Sequence, residues 1–382
     1  MLRKIEPSIL KSVNAQSLDC KLDCVLYAND YYKVKKFLGG EFETTYFPFL
    51  NAFGVRLNFK NIIELAALTE VKYITQSAKV NACVNVANKI LNTEKPSGNA
   101  AFCTVVIDTG IYPHLDFLMP KNRLIKFVDL INDRTYPYDD NGHGTFVCGA
   151  MCGGGTISAK HTGVDPNTNL IVIKALDKNG ETGANTILSA MQWVFEHRKE
   201  YNIRLMCMSF GSVFLGKNDP LMLGAEKLWD SGIVVVCAAG NSGPESETIK
   251  SPGSSYKIIT VGALNDNRVG DIPQYGKFAV ADFSSRGPIN NTYKPDVLAS
   301  GVEINGLKNN TAFYTTMSGT SVSTPLVAGV CSRLIKQNPS FSPDRIKKQL
   351  INSCNPITFD RNSEGFGWLD GTKLFWVLLK VF

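Results

Sequence analysis

Histidine is scarce in this chain, with four in 382 residues: His114, His143, His161 and His197. Any chemistry that needs an imidazole has only these to draw on. Long apolar runs are absent as well. Nothing approaches the ~20 residues that a membrane-spanning helix requires. The apolar end, Leu374 to Phe382, is expected to pack as a last helix on the body. The start, Met1-Leu2-Arg3-Lys4-Ile5-Glu6-Pro7, has two basic residues but no apolar run behind them, which does not fit a secretory signal. A dense basic block is also missing. The net charge of +6 is thinly spread, so neither nucleic acid nor a membrane is expected as a partner. There is no internal repeat and no low-complexity tract. The 10 cysteines lack the paired two-residue spacings of a zinc site. With no export signal and a chain of this size, they read as reduced thiols rather than a disulfide framework.

What remains is a chain with a globular balance, 44% hydrophobic and 19% charged, long enough for two domains. Residues 1–83 read as a small first domain. Asp23–Ala28 is strand-like, and Tyr31–Leu38 is helix-like, stopped by Gly39-Gly40. Phe42–Leu57 alternates, with Pro48 and Gly54 as breaks. Asn61–Leu68 has helical spacing, and Val71–Thr75 closes the set. The order β-α-β-β-α-β is that of a ferredoxin-like α+β unit.

Residues 84–382 form the second domain. A short helix near Val84–Leu91 and a turn at Pro96-Ser97-Gly98 lead into it. Apolar strands at Phe102–Ile107, Asn169–Leu176, Ile203–Ser209 and Ile233–Ala239 are separated by helices at Ala184–Arg198 and Leu221–Asp230. Continuous apolar strands between helices imply an α/β fold, a parallel sheet flanked by helices on both faces.

Chemistry concentrates at a few strand and helix ends. Met317–Pro325 is small and polar, then runs into the apolar Leu326–Val330. This reads as a buried helix with Pro325 in its first turn. A hydroxyl there faces unpaired N–H groups, so Ser321 is a candidate nucleophile and its own N–H a candidate oxyanion donor. Thr320 and Ser321 read equally as helix caps. A serine nucleophile needs a base and a carboxylate to orient that base. His197 sits in a charged helix end and reads as solvated. His143, in Asp139-Asp140-Asn141-Gly142-His143-Gly144-Thr145, stands among small residues ahead of an apolar helix and is the best base. Asp108 ends a parallel strand, where sites of such sheets lie, and fits the orienting role; it is also an ordinary turn cap. Asn241 ends another strand and suits an oxyanion hole, although Asn-Ser-Gly-Pro is also strong turn chemistry.

Together these segments resemble the subtilisin-like serine protease family, in the chain order Asp…His…Ser. The matching stretches are V-V-I-D-T-G-I around Asp108, N-G-H-G-T around His143, M-S-F-G-S at Met208–Ser212 and A-A-G-N-S-G-P around Asn241. They continue with S-P-G at Ser251–Gly253, F-S-S-R-G-P at Phe283–Pro288, K-P-D-V at Lys294–Val297, M-S-G-T-S around Ser321 and G-F-G-W-L-D at Gly365–Asp370. The resemblance implies Asp108, His143 and Ser321 as a triad, Asn241 as side-chain oxyanion donor, and Ser209, Phe210 and Gly211 as the edge that pairs with extended polypeptide substrate. It implies that the first domain acts as inhibitory propeptide and chaperone, with self-cleavage near Cys83–Val84.

Departures from the family pattern carry their own expectations. Phe146 stands where a second histidine is common, Ala299-Ser300-Gly301 where A-P-G is common, and Thr324-Pro325-Leu326 where S-P-H is common. None of these is a catalytic group. Gly153–Lys160 replaces the carboxylate-bearing calcium loop of the secreted members. No cofactor is therefore expected; calcium would need some other, unidentified site. Lys250 stands where the family places a small residue lining the primary specificity pocket. It either shortens that pocket, or favours an acidic residue before the scissile bond, or snorkels to solvent. The absent signal, absent calcium loop and many cysteines resemble the short intracellular subtilisins of bacteria, which implies a cytoplasmic enzyme. Two other readings stay open: a catalytically dead binding partner, and a latent protease held inhibited by its first domain.

Overall fold

The computed structural model describes residues 2–5, 9, 21–39, 42, 44–47, 52–76, 84–93, 98, 100–309 and 313–376. The chain divides into two compact units, Met1–Val80 and Asn81–Phe382. Pro48, the segment around Cys83, Pro96-Ser97 and the tail beyond Trp376 lie outside the described residues.

The first unit runs β1 (Leu22–Ala28), α1 (Tyr31–Leu38), β2 (Thr44–Phe47), β3 (Ala52–Leu57), α2 (Phe59–Ala67) and β4 (Val71–Gln76). Local chemistry starts its helices. Asp30 accepts from Lys33 N at 3.1 Å and Asn58 from Asn61 N at 2.9 Å. The strands form an antiparallel sheet in the order β2-β3-β1-β4. Gly54 lies inside β3, opposite Val25 and Thr45, rather than breaking the strand as its type suggests. One apolar face of each helix and the inner strand positions close a single core that includes Leu26, Val34, Phe53, Ile62 and Ile74.

The second unit opens with α3 (Val84–Ile90). It continues with β5 (Cys103–Asp108), α4 (Leu115–Leu118), β6 (Leu124–Asp129), α5 (His143–Cys152), β7 (Asn169–Lys174), α6 (Ala184–His197) and β8 (Ile203–Met208). Then come α7 (Pro220–Asp230), β9 (Val234–Ala238), β10 (Ile259–Asn265), β11 (Ala279–Val280), β12 (Val297–Ser300), β13 (Ile304–Leu307), β14 (Tyr314–Met317) and α8 (Thr320–Gln337). It ends with α9 (Pro343–Asn352), β15 (Cys354–Asn355), α10 (Arg361–Glu364), β16 (Trp368–Leu369) and α11 (Gly371–Trp376). The main sheet is mostly parallel, in the order β15-β16-β12-β10-β9-β8-β5-β7-β6, with β11 on β10. Every residue of β5, β9 and β12 is buried, as strands covered on both faces require.

Two helices inside this unit are buried almost all round. In α5 every residue after His143 is buried. In α8 every residue from Thr320 to Ile335 is buried except Ser321. Within those spans each helix leaves one side chain partly open, in its first turn: His143 in α5 and Ser321 in α8. Pro325 is not in that first turn. It is the sixth helical residue, so its missing N–H leaves the Ser321 carbonyl without the usual partner. Nor do Thr320 or Ser321 cap the helix: the N-cap is Gly319, with φ of 156° and no side-chain cap bond.

Candidate active site

Asp108 is the last residue of β5, and its register places it beside Lys174 at the end of β7. The carboxylate is fully buried. Its Oδ1 accepts from Thr109 N at 2.7 Å and meets His143 Nδ1 at 2.8 Å. A buried carboxylate at that distance fixes the tautomer, with Nδ1 carrying the proton and Nε2 left to accept one. Burial pulls the His143 pKa down, but the Asp108 charge and hydrogen bond, helped by Asp139, more than reverse this and leave it raised.

The loop that delivers His143 is tied down by Asp139, which sequence reading passed over. Its Oδ1 accepts from Thr109 Oγ1 at 2.9 Å, Asn141 N at 3.1 Å and Gly142 N at 2.8 Å. Its Oδ2 accepts from Thr145 N at 2.9 Å and Thr145 Oγ1 at 2.6 Å. Asn141 Oδ1 takes His143 N at 3.1 Å, and Thr109 Oγ1 takes Gly144 N at 2.9 Å. Gly142 adopts φ of 110°, which a side chain would strain. Below the loop, the fully buried Lys174 donates through Nζ to Thr109 O at 2.7 Å, Leu176 O at 3.0 Å and Asp140 Oδ1 at 2.7 Å. That single ammonium joins the Asp108 strand end to the His143 loop.

Ser321 and Asn241 meet over Gly319. A Cβ built on Gly319 would lie 3.1 Å from Ser321 Oγ and 3.3 Å from Asn241 Nδ2. Asn241 Oδ1 accepts from both Thr320 N and Thr320 Oγ1, each at 2.9 Å. This bonding sets the amide orientation and leaves Nδ2 as the outward donor. Thr320 Oγ1 in turn accepts from Gly240 N at 3.1 Å. Thr320 is thus a second residue that sequence reading treated only as a cap. Its signal lay in its place beside Ser321. The Ser321 N–H, second in the helix, finds no acceptor among the described residues.

Ser209 is buried, its Oγ 3.7 Å from Cys207 Sγ, so it has only its backbone to offer. Phe210 is half-buried and Gly211 exposed. The backbone groups of these last two make no hydrogen bond among the described residues, which leaves an open edge. A cavity of about 340 Å³ beside it is lined by Leu176, Thr182, Ile187, Phe210, Gly211 and Leu221. Lys250 is half-buried, its stem lying against Gly211 and Gly240.

The other histidines are held elsewhere. His114 is 2% exposed, accepts from Asp116 N at 3.2 Å, and is depressed by burial. His161 packs against Tyr314, with ring centroids 3.8 Å apart and the planes tilted by 30°. His197 is not simply solvated: it stacks on Trp193 at 4.2 Å and bonds the Trp193 carbonyl at 2.9 Å. Around the loop expected to lack calcium, Asp116 accepts from Gly155 N at 2.9 Å and Ile157 N at 3.4 Å. No cluster of three or more His, Cys, Asp or Glu suited to a metal occurs among the described residues. The eight described cysteines are free thiols, and burial pushes Cys152 up to about 11 and Cys207 to about 12, so these two are poor nucleophiles.

Residues 103–368 match the subtilase family. The chain is similar to the serine protease AprX of Bacillus subtilis (strain 168), 37% identical over 319 residues that make up 76% of this chain and 71% of that protein. It is also similar to subtilisin DY of Bacillus licheniformis, 30% identical over 256 residues, 66% of this chain and 83% of the other. Among solved structures, the S41 psychrophilic protease aligns with a TM-score of 0.66 and 26% identity, covering 77% of this chain and 99% of that one. Sphericase aligns with a TM-score of 0.63 and 25% identity over 77% and 99%.

Proposed function

The chain belongs to the subtilase family and is a serine endopeptidase, and we propose that Asp108, His143 and Ser321 are its catalytic triad, with Asn241 Nδ2 and the Ser321 N–H as the oxyanion hole. The observation that carries this assignment is the 2.8 Å Asp108–His143 bond, together with Ser321 Oγ and Asn241 Nδ2 gathered about Gly319. Ser321 Oγ attacks the scissile carbonyl as His143 Nε2 takes its proton. The tetrahedral oxyanion sits between Asn241 Nδ2 and the Ser321 N–H. His143 then protonates the departing amine, leaving an acyl-enzyme. Water, deprotonated by the same imidazole, releases the carboxylate product and returns the proton to Ser321. Substrate lies extended along Ser209–Gly211, where the backbone of Phe210 and Gly211, unpaired among the described residues, supports strand addition.

The first unit is proposed to be an inhibitory propeptide, on its β-α-β-β-α-β order and its own core. Cytoplasmic residence is proposed on the free thiols. No described helix is long and apolar enough to cross a membrane. The test compares wild type with Ser321→Ala, using a fluorophosphonate probe and N-terminal sequencing of any fragment. The expected result is labelling and a shortened chain in wild type only. Full-length protein in both, with Ser321 labelled, would instead support a latent protease. No labelling would remove the triad assignment.

A further inference from the structure

Two glycines flank the chemistry, and one lysine runs between them. Gly211 ends the open edge Ser209–Gly211, and Gly240 directly precedes Asn241. A Cβ on Gly211 would lie 2.6 Å from Lys250 Cβ, and one on Gly240 would overlap Lys250 Cγ. The absence of side chains at both positions is what makes room for the lysine stem. The backbone locks it in place. Lys250 N donates to Ala239 O at 2.9 Å, and the next residue, Ser251, exchanges two bonds with Ser212 at 2.8 and 2.9 Å. The stem therefore fills the crevice between the two strand ends. Its ammonium is three bonds beyond a Cγ that packs on Gly240, the residue before Asn241.

That ammonium has no hydrogen bond and no carboxylate partner among the described residues. Most other inward-facing lysines of this unit are matched: Lys174 pairs with Asp140, Lys294 and Lys347 with Asp296, and Lys336 with Asp165. An unmatched cation in a substrate crevice leaves its counter-charge to the substrate.

Building on the endopeptidase reading, the geometry points to Lys250 as the specificity-determining residue that selects substrates with Asp or Glu immediately before the scissile bond. A chain paired along Ser209–Gly211, with its carbonyl at Asn241 and Ser321, turns that residue's side chain into the crevice that Lys250 fills. The stem excludes large apolar groups by volume. A carboxylate entering beside it meets the ammonium in a partly water-excluded gap. A positively charged side chain meets like charge.

The test uses matched peptides differing only before the scissile bond: Glu, its uncharged isostere Gln, Lys and Phe. The readout is the Glu-to-Gln ratio of kcat/KM, which a general loss of activity does not move. Wild type should favour Glu over Gln by roughly three- to tenfold at low salt, less at high salt, with Lys and Phe poorest. Lys250→Met should bring the ratio to about one, and Lys250→Glu should invert the order of Glu and Lys. Equal cleavage of Glu and Gln by wild type, or a preference for Phe, would overturn the assignment while leaving the endopeptidase intact. No cleavage of any peptide and no fluorophosphonate labelling would sink both readings together.

Discussion

The two buried helices that deliver His143 and Ser321 begin in opposite ways. The start of α5 is saturated. Asp139, Asn141 and Thr109 together absorb the N–H groups of Asn141, Gly142, His143, Gly144 and Thr145. The start of α8 is left open. It has no side-chain cap, its first N–H goes to Asn241, and among the described residues the N–H of Ser321 is unclaimed. A helix start with every donor satisfied holds a side chain still and, with a carboxylate beneath it, favours positive charge on the imidazole. A helix start with one donor left free is a place where negative charge can form. One helix start thus supports the imidazolium that takes the proton, and the other the oxyanion that forms on the substrate carbonyl.

The largest break in that contrast is removal of the nucleophile. Ser321→Ala should lower kcat by about a millionfold, the size known for this substitution in subtilisins, as measured by single-turnover cleavage of a peptide. Next comes the open start itself. Asn241→Ala removes one of its two anion donors and should lower kcat by about 10²- to 10³-fold, the scale known for this amide in subtilisins, with KM little changed. An equal fall in affinity would instead assign Asn241 to ground-state binding.

The saturated start should respond in stability before catalysis. Asp139→Asn keeps the shape but trades the carboxylate for an amide with a single acceptor oxygen. Urea unfolding should show a loss of roughly 2–4 kcal/mol. Thr320→Val sharpens the other side. It removes the hydroxyl that bridges Asn241 Oδ1 and Gly240 N, so the amide is held by the Thr320 N–H alone, and kcat should fall about tenfold. Unchanged kcat would mean that this one bond is enough to orient the amide.

The smallest effect is in pH. His143 must be neutral to accept the Ser321 proton, and Asp108 raises its pKa against the effect of burial. Activity is therefore lost as pH falls through a point above the ordinary histidine value of about 6.5. The acid limb of kcat/KM against pH should lie there, and should move down in Asp139→Asn, because that charge contributes to the shift.

The most buried strands were legible because burial on both faces writes a continuous apolar run, as in β5 and β9. The edge strand β6 was not. With Lys126 and Ile125 exposed, it carries neither a continuous nor an alternating pattern. In β10 the run is broken by Gly262, which is there because a Cβ would meet Leu298 at 2.7 Å. Strands β11, β15 and β16 are two residues each, too short for any period to appear.

The sequence by itself determined the residue types at the site and the local turns that present them, because Asp108, His143, Asn241 and Ser321 each sit at a break between an apolar run and small polar residues. Tertiary structure decided which of them meet. Whether Thr320 caps a helix or orients Asn241 depends on a partner 79 positions away. Whether Asp139 is a loop charge or the anchor of α5 depends on Thr109, 30 positions away. Whether Lys250 snorkels or fills a crevice depends on two glycines in different strand ends. Periodicity reports which way a side chain faces, because that follows from its own backbone. It does not report what stands opposite, because that is fixed only when the sheet closes.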